Sequence, residues 1–514
     1  MTGKIYLNLR NNQQEETQLN IKCVNDDITE LSVNAKLDCL PYDFQKVLAS
    51  EYCAYADISI NGNIDGVLSR VQYNPFWSRP SFEKDLSKLS DNIQNILIKQ
   101  GDKYTAVLPL CMHDYNAYIS PSADKNTLRI KITKYYEGSK EISGTFAIFA
   151  EDTDPYNAVH KAYEYAVNKG YILTPLKENK KFPEIYKGLG WCTWNAFYHD
   201  VTEKGIIAKL EEFKNKEIPI KWIIIDDGWS KVSKKDDFKI TSFFEDKTKF
   251  PNGLKGFITY IKEHYGIRQV GIWHSLTGYW YGIEKDSSLY ESQKSNLTKT
   301  NSGYIVPSAK GAYEFFDVWH KYLKEQGVDF VKIDTQGNTT EFFKGRCDCV
   351  KYAVEIQKAA DRSVVNNFGG NVVNCMGLSN INIHNRPYTA LIRSSDDFYP
   401  DKKGSFREHL EQNVYNAVFL GNLYYCDFDM WWTNNDSTAD SAALRAISGG
   451  PVYVSDKIGD TNAEWLKKMI DKNGDLRLYD GVAVPTIDCL FGYDKTLKVQ
   501  NTINGKTEIK EFTF

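Results

Sequence analysis

The chain has little that would bind a polyanion, cross a bilayer or hold a metal ion. Its 63 Lys+Arg are set against 67 Asp+Glu, a net charge of −4, so the basic footprint of a nucleic-acid binder is missing. No stretch approaches the roughly 20 consecutive apolar residues of a membrane span. The opening Met1-Thr-Gly-Lys-Ile-Tyr-Leu-Asn-Leu-Arg10 lacks the apolar core of a secretory signal, so the expected location is cytoplasmic. Ten cysteines are scattered with no CxxC pair, and Cys347-Asp-Cys349 alone does not make a zinc site. They read as mostly buried, reduced thiols. The eight histidines form no HxH pair, which disfavours a metal-dependent hydrolase; no metal and no organic cofactor is expected.

Aromatic residues, by contrast, are plentiful: 11 Trp, 33 Tyr and 26 Phe. Their apolar faces with polar tips suit sugar rings, although cores use them as well. A length of 514 residues suggests about three domains at roughly 150 residues each. Residues 1–187 carry short alternating runs (Lys4–Leu9, Tyr55–Ile60, Thr105–Pro109, Thr127–Thr133, Gly144–Ala150) separated by turn clusters, which predicts an N-terminal β-sandwich. A helical pattern over Asn157–Asn168 follows it.

From 188 to 465 eight short apolar runs alternate with amphipathic stretches such as Thr202–Asn215 and Ala312–Gln326. Eight such units over about 270 residues match a (β/α)8 TIM barrel. The interval between the fifth and sixth runs is short, so its helix is expected to be reduced. Residues 466–514 alternate again over Leu476–Tyr479, Leu497–Asn501 and Lys506–Phe514, which predicts a small C-terminal β-domain. The expected fold is therefore multidomain, with the barrel in the centre.

Barrel enzymes place their chemistry at the C-terminal ends of the strands. Seven of the eight runs end in polar or aromatic clusters: Asp226-Asp227-Gly-Trp229, Trp273-His274, Lys332 with Asp334, Asn374-Cys375, Arg393-Ser-Ser-Asp396-Asp397, Asp427-Phe-Asp429 and Ser455-Asp456. Asp456 alone is adequately explained as a helix cap. The full ring is not, because so many carboxylates in one mouth need a purpose. Lys332 and Asp334 share a strand face, and a lysine there is expected to keep the carboxylate ionised, as a nucleophile requires. In the Asp396–Asp397 pair, repulsion raises one proton affinity and creates a proton donor. Strand parity puts Asp397, rather than Asp396, on the face of Arg393.

The chain resembles glycoside hydrolase family 36, in its raffinose synthase and seed-imbibition protein group, within the clan that holds the α-galactosidases. The resemblance rests on Gly190-Trp-Cys-Thr-Trp-Asn-Ala-Phe-Tyr198, Ile225-Asp-Asp-Gly-Trp229, Trp273-His274 with Gly278-Tyr-Trp280, Val331-Lys-Ile-Asp-Thr-Gln336, Arg393-Ser-Ser-Asp-Asp-Phe-Tyr-Pro400, Asp427-Phe-Asp-Met430 and Ser448-Gly-Gly-Pro-Val-Tyr-Val-Ser-Asp456. It implies a retaining mechanism on α-galactosides, with Asp334 as nucleophile. The acid/base is Asp397 if counted from the arginine and Asp396 if the Ser-Asp pair is aligned. Asp226 and Asp227 would bind the far hydroxyls of galactose, Trp191 and Trp194 would wall the pocket, and Lys332, Cys375 and Arg393 would line the ring. The clusters at Trp273, His274 and Asp429 complete the candidate substrate-binding set. The chain departs from the plant pattern at Asn195, Tyr281 and Phe428, the last two expected near the acceptor. The expected function is hydrolysis of terminal α-linked galactose. Transfer of galactose to a sugar acceptor, or hydrolysis of another α-glycoside such as an α-N-acetylgalactosaminide, is the alternative. The expected partner is a small carbohydrate, with no nucleic acid and no membrane; the sequence does not fix the oligomeric state.

Overall fold

A computed structural model describes residues 1–8, 14–37, 52–112, 115–135, 140–233, 238–345 and 349–514. Cys39, Cys347 and Leu9 lie outside the described residues. Of the eight described cysteines, Cys23 is exposed and the rest are buried.

Between Thr2 and Asp152, 13 strands join edge to edge in one antiparallel hydrogen-bonded sheet. The predicted runs fall on its strands, which extend to Lys103–Pro109 and Glu141–Asp152. Period-2 alternation divides the side chains between two cores. On Ile93–Gln100, Ile96 and Ile98 join Ile5, Leu31, Ile58 and Ile130, a sandwich-like interior. Leu97, on the opposite face, joins Ala158 and Ala162 of the helix Pro155–Asn168. That helix starts where Asp154 accepts the N–H groups of Tyr156 and Asn157, and it buries Ala158, Ala162 and Ala166 in one stripe.

The second sheet has eight parallel strands, numbered here in chain order: β1 Leu189–Cys192, β2 Ile220–Ile225, β3 Gln269–Ser275, β4 Phe330–Asp334, β5 Val372–Asn374, β6 Leu391–Arg393, β7 Tyr425–Asp427 and β8 Tyr453–Val454. They hydrogen-bond in the order 7-6-5-4-3-2-1-8. A parallel bridge between Trp431, four residues past β7, and Val454 of β8 draws the two edges of the curled, barrel-like sheet together. Helices cover it as the periodicity predicts. Glu203–Asn215 is capped by Thr202 and buries Ile206, Leu210 and Phe213. Ala312–Glu325 buries Phe315, Trp319 and Leu323.

Strand parity separates the lumen from the helix layer. Cys192, Trp222, Ile224, Phe330, Val373, Leu391 and Tyr453 form one enclosed cluster, closed at the base by Tyr186 stacked edge-on to Trp222 and Phe330. Two inward glycines make room for the large rings. A Cβ at Gly190 would collide with the Trp222 indole, and one at Gly271 with the Phe330 ring.

Between β5 and β6 the expected reduced helix is a single turn, Asn380–Ile383. The antiparallel sheet fills the vacated side. Buried Arg70 donates to Leu378 O at 2.7 Å and to Asn380 Oδ1 at 2.8 Å. At the C-terminus Thr496–Ile503 and Lys506–Thr513 form a hairpin through Asn504-Gly505, both left-handed, the two-residue turn that this pair favours. Leu476–Tyr479 is not a strand; Leu476 makes only an isolated bridge to Ile470.

Candidate active site

The carboxylates predicted at the strand ends converge at the C-terminal mouth of the barrel. Asp334 closes β4 and is buried. Its Oδ2 accepts the indole N–H of Trp273 from β3 at 2.8 Å, and its Oδ1 accepts the Thr335 N–H at 2.9 Å. The expected lysine partnership is different in detail. Lys332 Nζ donates to Asp226 Oδ2 at 2.8 Å and stands 3.9 Å from Asp334. Burial therefore dominates, and the Asp334 carboxyl lies above the usual carboxylate range despite the lysine.

Asp226 and Asp227 follow β2 and are both buried. Asp226 also receives the Cys192 thiol at 3.2 Å, while its backbone N–H donates to Thr193 Oγ1 at 2.9 Å. Asp227 accepts from Tyr279 Oη at 2.6 Å and Trp280 Nε1 at 3.0 Å, with His199 Nε2 3.2 Å away. Its hydrogen bond and charge raise the His199 pKa. Trp194 stacks edge-on against Tyr198 and His199 beside this pair.

At the end of β6 the buried Arg393 organises three groups. It pairs with Asp429 Oδ1 at 2.8 Å and Asp397 Oδ1 at 3.2 Å, and contacts Cys375 Sγ at 3.6 Å. Burial and the neighbouring Asp397 and Asp427 charges push Asp429 upward, against the pull of Arg393. The charge of Asp397 also acts on Asp334 and Cys375. Asp396 is turned elsewhere: its Oδ2 accepts the Tyr73 hydroxyl at 2.5 Å and its Oδ1 the Asp397 N–H at 2.7 Å. Burial and the Asp397 charge raise its pKa.

Three of the ten left-handed non-glycine residues among the described residues lie at the same mouth. Thr335, Met376 and Asp429 adopt left-handed φ of 54°, 51° and 66°, each one or two residues beyond a strand. Such conformations cost on the order of 1–3 kcal/mol each and persist where the surroundings over-determine them, a pattern typical of functional sites.

Several expectations need correction. Trp191 is an outward residue of β1: fully buried, it packs edge-on against Phe213 of the helix layer and Phe197. His274 faces outward from β3, where its Nε2 meets that of His320 at 3.0 Å and its ring lies against Trp319. Neither walls a pocket at the mouth. Phe428 is fully buried, whereas Tyr281 is 44% exposed and stacks on Tyr304. Asp456 caps no helix; it accepts from the Thr433 N–H and hydroxyl, both at 2.7 Å, and anchors the chain after β7.

Tyr73, Trp77 and His199 were missed, as were the roles of Tyr279 and Trp280. Tyr279 and Trp280 sit in the Gly278-Tyr-Trp280 stretch already noted, and an aromatic pair just past a strand end was their available signal. Tyr73 and Trp77 belong to the antiparallel sheet and gave none.

The profile of the family described as raffinose synthase or seed imbibition protein Sip1 matches residues 83–243 and 236–504. A probable galactinol–sucrose galactosyltransferase 6 of Arabidopsis thaliana is 32% identical over 422 residues, 76% of this chain and 56% of that protein. Stachyose synthase of Pisum sativum is 23% identical, covering 84% of this chain and 65% of its own length. The chain thus spans 56% and 65% of the length of these two curated relatives. In fold it is similar to TtGalA, an α-galactosidase of Thermus thermophilus solved with p-nitrophenyl α-D-galactopyranoside: TM-score 0.60, 13% identity, 90% of this chain and 93% of that one. The family 36 α-galactosidase AgaA of Geobacillus stearothermophilus gives a TM-score of 0.60 at 11% identity, over 97% and 79%. With its profile matched across most of its length, the chain belongs to the raffinose synthase and seed imbibition protein family.

Proposed function

We propose that the chain is a retaining α-galactosidase-type enzyme that releases terminal α-linked galactose. The observation that carries this reading is the placement of Asp334. It is a buried carboxylate fixed by two N–H donors, with Lys332 at 3.9 Å and the charge of Asp397 acting on it across the mouth. Asp334 attacks the anomeric carbon; the C1–oxygen bond to the leaving group breaks, and the Asp397 proton passes to that oxygen. Asp397, now a base, takes a proton from water as the water oxygen displaces Asp334 from C1. Asp226 and Asp227, each held by several donors, would accept the hydroxyls on the far edge of the sugar. No step requires a metal or an organic cofactor.

A second reading, transfer of galactose to a sugar hydroxyl, is favoured by the names of the relatives, galactinol–sucrose galactosyltransferase and stachyose synthase. It shares the first half-reaction and differs only in what displaces Asp334. Incubation with galactinol and sucrose decides between them: free galactose as the sole new sugar supports hydrolysis, and a trisaccharide supports transfer. Asp334→Asn tests the shared step. Near-wild-type turnover of an aryl α-galactoside would reject the nucleophile, and NMR of the first-formed anomer tests retention.

A further inference from the structure

The segment Tyr73–Trp77 joins two antiparallel strands, Gly66–Gln72 and Ser78–Glu83, and precedes residue 83, where the family profile begins. It belongs to the first sheet yet is built into the barrel mouth. Asn74 Oδ1 fixes its turn by accepting the N–H groups of Phe76 and Trp77 at 2.9 and 2.8 Å. The Phe76 carbonyl accepts the Leu378 N–H at 3.0 Å, just past β5. Pro75 O lies against Gly337, just past β4, so closely that a Cβ there would strike it.

Two side chains of this segment reach the end of β6. The buried Trp77 ring lies 5.4 Å from the Arg393 guanidinium. The Tyr73 hydroxyl donates to Asp396 Oδ2, and Asp396 Oδ1 in turn accepts the backbone N–H of Asp397 at 2.7 Å. Gln412, from the helix Ser405–Leu420, completes the clamp by accepting the Asp396 N–H at 2.7 Å. A continuous chain of hydrogen bonds therefore runs from the antiparallel sheet to the backbone of Asp397.

Resting on the reading of Asp397 as acid/base, we propose that Tyr73 is a positioning residue: its hydroxyl holds Asp396 so that Asp396 fixes the backbone from which the Asp397 carboxyl projects. The hydrogen bond has an electrostatic consequence too. Donation from Tyr73 favours the ionised form of Asp396 against the burial that raises its pKa, and a negative charge there disfavours a second one close by. The groups that bear on Asp396 are Tyr73, Arg393, Asp397 and Tyr399. Glu408 and Arg79 face Tyr73 itself.

The test is Tyr73→Phe in the full chain, which removes one hydroxyl and keeps the ring. Steady-state kinetics are compared on an α-galactoside with a sugar leaving group and on a p-nitrophenyl α-galactoside, across the pH range. General-acid assistance matters most for the poor leaving group. Expected are a kcat about tenfold lower on the sugar substrate, a kcat within about threefold on the aryl substrate, and KM values within about twofold. The alkaline limb of kcat/KM is expected to move to lower pH. Equal losses on both substrates with an unmoved limb, or unchanged kinetics, overturn the proposal.

Asp396→Asn provides a second arm should Tyr73→Phe fail to fold, because it retains an acceptor for the hydroxyl. It is expected to move the alkaline limb in the same direction, and an unmoved limb overturns the proposal. In the double variant the two effects are expected to overlap rather than multiply; independent, multiplying losses count against it. Wild-type turnover together with an indifferent Tyr73→Phe overturns this inference alone. Absence of wild-type turnover on any α-galactoside overturns the functional reading and this inference with it.

Discussion

Trp273 on β3 donates its indole N–H to the Asp334 carboxylate on β4 at 2.8 Å, and no other side chain donates to Asp334 among the described residues. A hydrogen bond to an ionised group contributes about 1.5–3 kcal/mol. At about 1.36 kcal/mol per factor of ten, Trp273→Phe is expected to lower kcat/KM on an aryl α-galactoside by roughly 10- to 100-fold. Thermal melts of the variant provide the control for folding. A loss under twofold would show that Thr335 N–H and Lys332 alone suffice to orient the nucleophile.

The two carboxylates after β6 separate by chemical rescue. Asp397→Ala is expected to lose most activity on p-nitrophenyl α-galactoside and to regain it with added azide, forming a galactosyl azide, because azide needs no base to attack the intermediate. Asp396→Ala is expected to lose less and to show no rescue, since Asp396 bonds Tyr73 and the Asp397 backbone. Rescue of the Asp396 variant instead would exchange the two roles.

Most of the candidate site is legible at the strand ends, because a barrel places its loops there and the apolar runs mark where each strand stops. Asp226, Asp227, Lys332, Asp334, Arg393, Asp397 and Asp429 gather at one mouth for that reason. Trp191 and His274 were misplaced because a position near a strand end says nothing of which face it occupies. Parity does: Cys192 and Trp273 take the lumen, and their neighbours go to the helices. Nearness in sequence pairs the lysine with Asp334, whereas its shorter contact is with Asp226 on β2. Tyr73 could not be read, since its partner lies 323 residues away across two sheets. No local periodicity encodes such a contact.

Through its contact with Asp227, His199 is expected to make substrate affinity pH-dependent. Its hydrogen bond to Asp227 raises its pKa above the ordinary 6.5, so the imidazolium supports Asp227 below that raised value and is lost as pH climbs through it. KM is therefore expected to rise in the wild type as pH climbs from 6.5 through that raised value. His199→Gln is expected to show a flat KM over the same range, near the wild-type alkaline value. An identical rise in the variant would assign the titration to another group.

His274 supplies the complementary case, a histidine that acts on stability. It is fully buried against His320, and burial drives its pKa down to about 4. Between that value and about 6.5 the unfolded chain binds a proton that the folded chain refuses, so stability falls as pH falls through the window. At pH 8 His274→Gln is expected to cost about 1–3 kcal/mol, because its buried partner loses a hydrogen bond. At pH 5 the gap to the wild type is expected to shrink by up to about 2 kcal/mol, since only the wild type carries the protonation penalty of this imidazole. Urea unfolding at the two pH values measures the change. KM for an aryl α-galactoside is expected to stay within about twofold, because His274 is packed between β3 and the helix layer, away from the mouth. A large rise in KM with an unchanged unfolding midpoint would return His274 to the mouth of the barrel.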